Sequence, residues 1–169
     1  METLRTPRLL LRPFTRDDLD ELAAILADAE VMRFSLLAPR SLEETRVALE
    51  RILSSYEKEG FGLCAVIHEE EAKLIGYCGF VVRRIDGERE IELGCGLARA
   101  YWGKGLGTEA ARAFRDYGFA VLGFRRLICI VDPRNIASIR VAENLGMSYE
   151  KESDFRGAPL QIYGLTRRG

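Results

Sequence analysis

The chain is expected to fold as one α/β (α+β) domain with a mixed, largely antiparallel sheet, and three observations carry that expectation. Strand-like apolar runs follow one another with turn residues between them, helical periodicities lie on either side, and no linker, repeat or low-complexity tract interrupts them. The 169 residues fall within the range of one domain, so residues 1–169 are read as a single unit. A chain of this length buries roughly 70% of its unfolded surface around one core. With 47% hydrophobic and 30% charged residues, disorder and fibrous repeats are excluded.

Each element has its own signal. Leu9-Leu10-Leu11-Arg12-Pro13-Phe14 reads as an opening strand closed by Pro13. Thr15 with Asp18 three residues on is a capping-box-like pair, and Asp17, Asp18, Asp20 and Glu21 suit the positive end of a helix whose apolar face is Leu19, Leu22, Ile25 and Leu26. Ser41-Leu42-Glu43-Glu44 is a second capping box. It opens a helix with Leu42, Val47 (or Thr45), Leu49, Ile52 and Leu53 towards the core, ended by Gly60. Residues 61–67 and 73–83 flank the polar tip Glu69-Glu70-Glu71, and Asp86-Gly87 turns the chain into a strand at 89–97, which makes an antiparallel meander. A glycine-rich loop follows, then a long helix with Ala110, Phe114, Tyr117 and Val121 at helical spacing. The apolar strand Leu127–Val131, a short helix and two final strands complete about six to seven strands and four helices.

Composition narrows the chemistry. With 25 basic and 26 acidic residues the formal charge is −1, which argues against a nucleic-acid binder held by broad positive charge. The single histidine, His68, cannot supply a two- or three-histidine metal site, so no metal is expected. It opens the run His68-Glu69-Glu70-Glu71 and reads as a solvated hairpin-tip residue. Cys64, Cys78, Cys95 and Cys129 show no Cys-x-x-Cys spacing and read as buried free thiols. No apolar run approaches 18 residues, so neither a membrane nor a secretory route is expected and a cytoplasmic location is.

The chemical signal is Tyr101-Trp102-Gly103-Lys104-Gly105-Leu106-Gly107-Thr108, between a strand and the long helix. Glycines at alternate positions let the backbone turn sharply and present successive N–H groups at the positive end of the helix dipole, which makes an anion site suited to a phosphate or pyrophosphate. Lys104 adds a mobile positive charge. A tight strand-to-helix connection without ligand explains the same glycines. So does a dinucleotide site, because Gly105-Leu106-Gly107-Thr108-Glu109-Ala110 matches Gly-x-Gly-x-x-Ala and Asp132 follows the next strand. Against the dinucleotide site, residues 98–104 intervene between strand and fingerprint, and Glu90 and Glu92 interrupt the strand before it.

The loop and its surroundings resemble a known family. Trp102-Gly103-Lys104-Gly105-Leu106-Gly107 fills the Gln/Arg-x-x-Gly-x-Gly/Ala frame of the GNAT superfamily of acyl-CoA N-acetyltransferases, with Trp102 in place of Gln or Arg. Thr6-Pro7-Arg8-Leu9, Tyr101–Gly105 followed by Thr108-Glu109-Ala110, and Asn135 through Met147 are similar to the RimJ/RimL-type branch, in order across the chain. The resemblance implies a sheet splayed between strands 89–97 and 127–131, with acetyl-CoA as cosubstrate. The N–H groups of Gly103, Lys104, Gly105, Leu106, Gly107 and Thr108 would hold its pyrophosphate beside Trp102. Pantetheine would pair with the backbone of Cys95 and Leu97, and Asn135 and Ser138 would face the pantetheine or thioester, although Asn135 also suits a helix N-cap.

The implied partners are CoA and an amine acceptor, either a peptide N-terminus or a small molecule, with no nucleic acid and a monomeric or homodimeric assembly. Glu92 is the implied base, with a solvent-facing strand glutamate as the other reading. The tyrosine that often protonates the leaving thiolate in this superfamily corresponds to Ala142, which leaves Ser138 or water for that role. Backbone N–H of Gly94, in a bulge, or of Cys95 would polarise the thioester. Phe34, Tyr77, Phe80 and Tyr163 are candidates to line an acceptor cleft, and the cluster Asp17, Asp18, Asp20 and Glu21 is a candidate to attract a cationic amine. A CoA-binding module without catalysis and a nucleotide-binding oxidoreductase stand as alternatives.

Overall fold

The computed structural model describes residues 1–35 and 37–168. Eight strands form one sheet: β1 (Leu4–Arg5), β2 (Leu9–Pro13), β3 (Leu63–His68), β4 (Lys73–Ile85), β5 (Glu88–Leu97), β6 (Arg126–Val131), β7 (Ser148–Phe155) and β8 (Ala158–Thr166). Four helices accompany them: α1 (Leu19–Leu26), α2 (Leu42–Glu59), α3 (Leu106–Ala120) and α4 (Ile136–Asn144). The sheet order is β1-β2-β3-β4-β5-β6-β8-β7, and only β5 and β6 run parallel. The two-residue β1 is the strand that residue patterning missed, because it is too short to show alternation.

Turn chemistry sets the meander. Asp86 and Gly87 both adopt positive φ (51° and 87°), the geometry of the two-residue hairpin turn whose twist matches its strands. That turn locks β4 to β5 in one unbroken register, from Ile85↔Glu88 to Gly76↔Leu97. No bulge interrupts it at Gly94, contrary to the expectation from sequence.

Alternation then divides the residues between two faces. Cys64, Val66, Cys78, Phe80, Ile91, Leu93, Leu97, Leu127 and Val131 join Leu106, Ala110, Phe114 and Tyr117 of α3 and Ala142 and Leu145 of α4 in the larger core. On the opposite face Ala65, Ile67 and Leu74 pack under Leu22, Ile25 and Leu26 of α1 and Leu49 of α2. Helix α2 turns Thr45 inward rather than Val47, because Thr45, Leu49 and Ile52 are the set one helical face can align; Leu42 and Val47 are exposed. Val121 lies past the end of α3 and is also exposed. Phe80 and Tyr163 sit in the larger core, Phe80 edge-to-face with Phe61, Phe114 and Phe124, so neither lines a cleft.

Candidate active site

Between β5 and β6 the sheet opens. Their single ladder position is Glu92↔Ile128, beyond which β6 continues to Val131 paired with β8 alone. The Ala98 amide donates to the Ile75 carbonyl at 2.7 Å, so by alternation Leu93, Cys95 and Leu97 turn their backbone groups away from β4 and into the opening. Two side chains reach those groups. The Cys129 thiol donates to the Leu93 carbonyl at 3.2 Å, and the Trp102 indole donates to the Leu97 carbonyl at 2.8 Å. The Gly94 amide, on the opposite alternation, belongs to the β4 side, which leaves Cys95 as the donor facing the opening.

The glycine-rich loop joins the open end of β5 to α3. Gly103 and Gly105 take positive φ (72° and 76°), a backbone conformation that side chains rarely tolerate, and Gly105 is the N-cap of α3. No side chain among the described residues caps this helix. By contrast, Ser41 caps α2 and Asn135 caps α4 through a 3.2 Å bond from the Ser138 amide. The first helical bond of α3 is Glu109 N–H to Gly105 C=O, so the amides from Gly105 to Thr108 are left pointing outward. A side chain on Gly107 would meet only Leu97 Cδ1, at 3.8 Å. The helix gives up about 1 kcal/mol of propensity at this position with no packing reason within the protein. An uncapped helix start beside an unfilled flank fits a phosphate-bearing ligand that approaches the backbone closely. Lys104 lies exposed at the same loop, its ammonium 5.4 Å from the Tyr101 ring.

Glu92 stands at the ladder position where the sheet begins to open. Leu93 and Ile91 belong to the α3–α4 core, so Glu92, between them, points to the other face. There its Oε2 accepts a 2.6 Å ion-paired bond from Arg83 Nε, while Oε1 accepts none among the described residues. Arg83 was not singled out from the sequence, although the Asp86-Gly87 turn dictates that it lies diagonal to Glu92. Glu90 is bound instead by Arg126, whose guanidinium also forks onto Glu150. Ser138 is half-buried in the first turn of α4, and its hydroxyl makes no bond among the described residues. Ala142 is fully buried in the core and contributes packing only.

Tyr77 lies on the Glu92 face. Its ring covers Gly96 so closely that a side chain there would stand 2.5 Å from the phenol oxygen. Burial, with the neighbouring Cys95 and Glu92, pushes its hydroxyl up to about 12. Phe34 is half-buried, with the guanidinium groups of Arg33 and Arg134 at 5.1 and 5.7 Å, so the segment after α1 reaches the β6–α4 turn.

Two of the four acidic residues near the start of α1 are spent on structure, while Asp17 and Asp20 are exposed. Asp18 takes the Arg12 fork and the Thr15 amide, all at 2.8 Å, and Glu21 accepts from the Leu74 amide. Asp132 is bound by Arg134, which holds its carboxyl below the usual range. His68 is not a solvated tip. Its ring packs 5.8 Å from Tyr101, and its Nδ1 is buried 3.8 Å from Glu71 without a hydrogen bond. All four cysteines are free; Cys64 and Cys78 are buried, but Cys95 and Cys129 border the opening and are half-buried. Burial pushes the Cys64 thiol up to about 12 and Cys129 higher still, so neither is a ready nucleophile. No helix of the described residues is long and apolar enough to cross a membrane.

A family model described as an acetyltransferase (GNAT) domain matches residues 8–148. The chain is 34% identical to the uncharacterized N-acetyltransferase p20 of Bacillus licheniformis, over 92% of this chain and 86% of that protein. It is 32% identical to spermidine N(1)-acetyltransferase of Escherichia coli K12, over 84% and 74%. The structure of an acetyltransferase from Agrobacterium tumefaciens superposes with a TM-score of 0.86 at 28% identity, covering 99% of this chain and 95% of that one. That of RimL, a ribosomal-protein acetyltransferase in complex with coenzyme A, superposes with a TM-score of 0.82 at 18% identity, covering 98% of each chain, a likeness of fold.

Proposed function

This chain belongs to the GNAT family and is an acyl-CoA-dependent acetyltransferase, and from that premise we propose that it acetylates a primary amine by direct transfer in a ternary complex at the β5–β6 opening. The acceptor is a protein N-terminus or a small amine. The observation that carries the reading is the uncapped start of α3 beside Gly107, a glycine the protein itself does not need. The amides of Gly103 to Thr108 receive the pyrophosphate of acetyl-CoA, with Trp102 and Lys104 at its flank. The outward backbone of Cys95 and of Leu97, whose carbonyl is shared with Trp102, runs beside the pantetheine.

The acceptor enters on the face of Tyr77, Phe34 and Glu92. Glu92 takes the ammonium proton, directly or through one water, by its free Oε1. The amine nitrogen then bonds to the acetyl carbon to give a tetrahedral oxyanion, its second proton passes to water, and collapse of the adduct breaks the carbon–sulfur bond. The Cys95 amide stabilises the oxyanion, and Ser138, replenished from water, protonates the departing thiolate. Asn135 holds the α4 turn that presents Ser138. The antiparallel sheet, with one parallel pair, leaves the nucleotide oxidoreductase without its doubly wound fold.

Coenzyme A at about 100 times its Kd stabilises the protein by about 2.7 kcal/mol, raising Tm by roughly 5–10 °C, whereas NAD gives no shift. Thiol release from acetyl-CoA is then followed over N-terminal peptides, polyamines and small amines. A CoA shift without turnover on any amine would support a binding module, the reading favoured by the buried Ala142.

A further inference from the structure

The start of α3 carries a charge that works against an anion site. Glu109, one turn in, places a carboxylate beside the outward amides, where a negative group repels an incoming phosphate. The structure holds this carboxylate firmly. Thr6 Oγ1 donates to Glu109 Oε1 at 2.6 Å and the Arg8 amide at 3.0 Å, while Arg8 Nε donates to Oε2 at 2.7 Å. Burial by itself would raise its pKa, but these bonds override it and hold the group below the usual carboxylate range.

The same Arg8 guanidinium crosses to the loop. Its Nη1 donates to the Lys104 carbonyl at 2.9 Å, between the two glycines of positive φ, and its Nη2 lies 3.6 Å from where a Gly105 Cβ would stand. Arg8 therefore joins two things that nothing else in the described residues joins: the carboxylate in the helix's first turn and the carbonyl that sets the loop's path.

We infer that the Thr6–Arg8 strap is a working part of the phosphate site, with Arg8 as a positioning residue. It cancels the field of Glu109 at the mouth of α3 and fixes the Lys104 carbonyl so that the amides from Gly105 onward turn outward. A lysine could balance the charge but not fork between a carboxylate and a carbonyl. This inference rests on the reading of the loop as the CoA phosphate cradle.

The test compares two donors, acetyl-CoA and S-acetylpantetheine, which lacks the pyrophosphate and the nucleoside. Arg8→Ala raises KM for acetyl-CoA at least about tenfold and leaves kcat/KM for S-acetylpantetheine within twofold, which also reports that the variant is folded. Arg8→Lys falls between wild type and Arg8→Ala. Adding Glu109→Gln to Arg8→Ala recovers part of the lost affinity, because it removes the uncompensated charge. Wild-type KM for acetyl-CoA in Arg8→Ala, equal losses for both donors, or no recovery on adding Glu109→Gln would overturn the inference. Gly105→Val separates the two levels. If it loses acetyl-CoA affinity while Arg8→Ala does not, only the strap's role fails; if Gly105→Val binds acetyl-CoA normally, the cradle itself fails.

Discussion

Gly107→Leu should leave the free protein at least as stable and make it a poorer binder of acetyl-CoA, a pair of effects that ordinary packing damage does not produce. Gly107 lies in the first turn of α3, and an added Cβ would touch only Leu97 Cδ1 at 3.8 Å, an ordinary van der Waals contact. Leucine restores about 0.5–1 kcal/mol of helix propensity, which for a chain of this size raises Tm by roughly 1–4 °C. Its branched side chain, larger than the Gly or Ala that the family frame admits at this position, stands on the flank where a ligand phosphate would meet the helix amides. Loss of one charge-assisted hydrogen bond costs about 1.5–3 kcal/mol, a weakening of about ten- to a hundredfold. Thermal melting without ligand and calorimetric titration with acetyl-CoA read the two effects. A variant that melts higher yet keeps wild-type affinity would mean that nothing occupies that flank, and the site assignment would fall with it.

Three further outcomes follow from the geometry. Glu92→Gln lowers turnover at least about a hundredfold, the contribution expected of a general base, with acetyl-CoA affinity within twofold; normal steady-state turnover would remove Glu92 as the base. Asn135→Ala costs about 1 kcal/mol through the lost cap, whereas Asn135→Asp keeps the cap, so a loss of turnover in the aspartate variant would point to ligand contact by the amide nitrogen. Asp18 is buried, which alone would raise its pKa, but the Arg12 fork and the Thr15 amide override this and lower it. The ion pair therefore adds stability above the unfolded carboxylate range and loses it as pH falls below about 4. Asp18→Asn destabilises by about 2–3 kcal/mol at pH 7, and the gap to wild type narrows in melts run at pH 3; a gap that is constant with pH would exclude the linkage.

How far the chain could be read before folding depends on whether a signal is local. Capping boxes, the Asp86-Gly87 turn and the apolar run at Leu127–Val131 act within a few residues, and the elements they predicted stand within a residue or two of their places. Signals shared between two helical registers left the choice open, as with Val47 against Thr45, of which the structure buries Thr45. Inferences from polarity of neighbours failed: the acidic run after His68 suggested solvent, but Tyr101, from another segment, covers the ring and bonds Glu71. Aromatic residues gave no indication of face, which is why Phe80 and Tyr163 proved to be core while Tyr77 packs on the other side of the sheet and Phe34 lies beside Arg134.

The sequence alone determined the element order, the meander and the glycine-rich turn into a long helix, because backbone conformation and periodicity are written residue by residue. The resemblance of its motifs also led to the family that the comparisons show. Only the tertiary structure decided that α3 starts uncapped, that β5 and β6 part beyond Glu92 and Ile128, that Arg83 holds Glu92, and that Arg8 reaches Glu109 from a hundred residues away. Those contacts depend on which faces the sheet brings together. Side chains distant in the chain meet there through burial and charge, for which no short stretch of residues carries a sign.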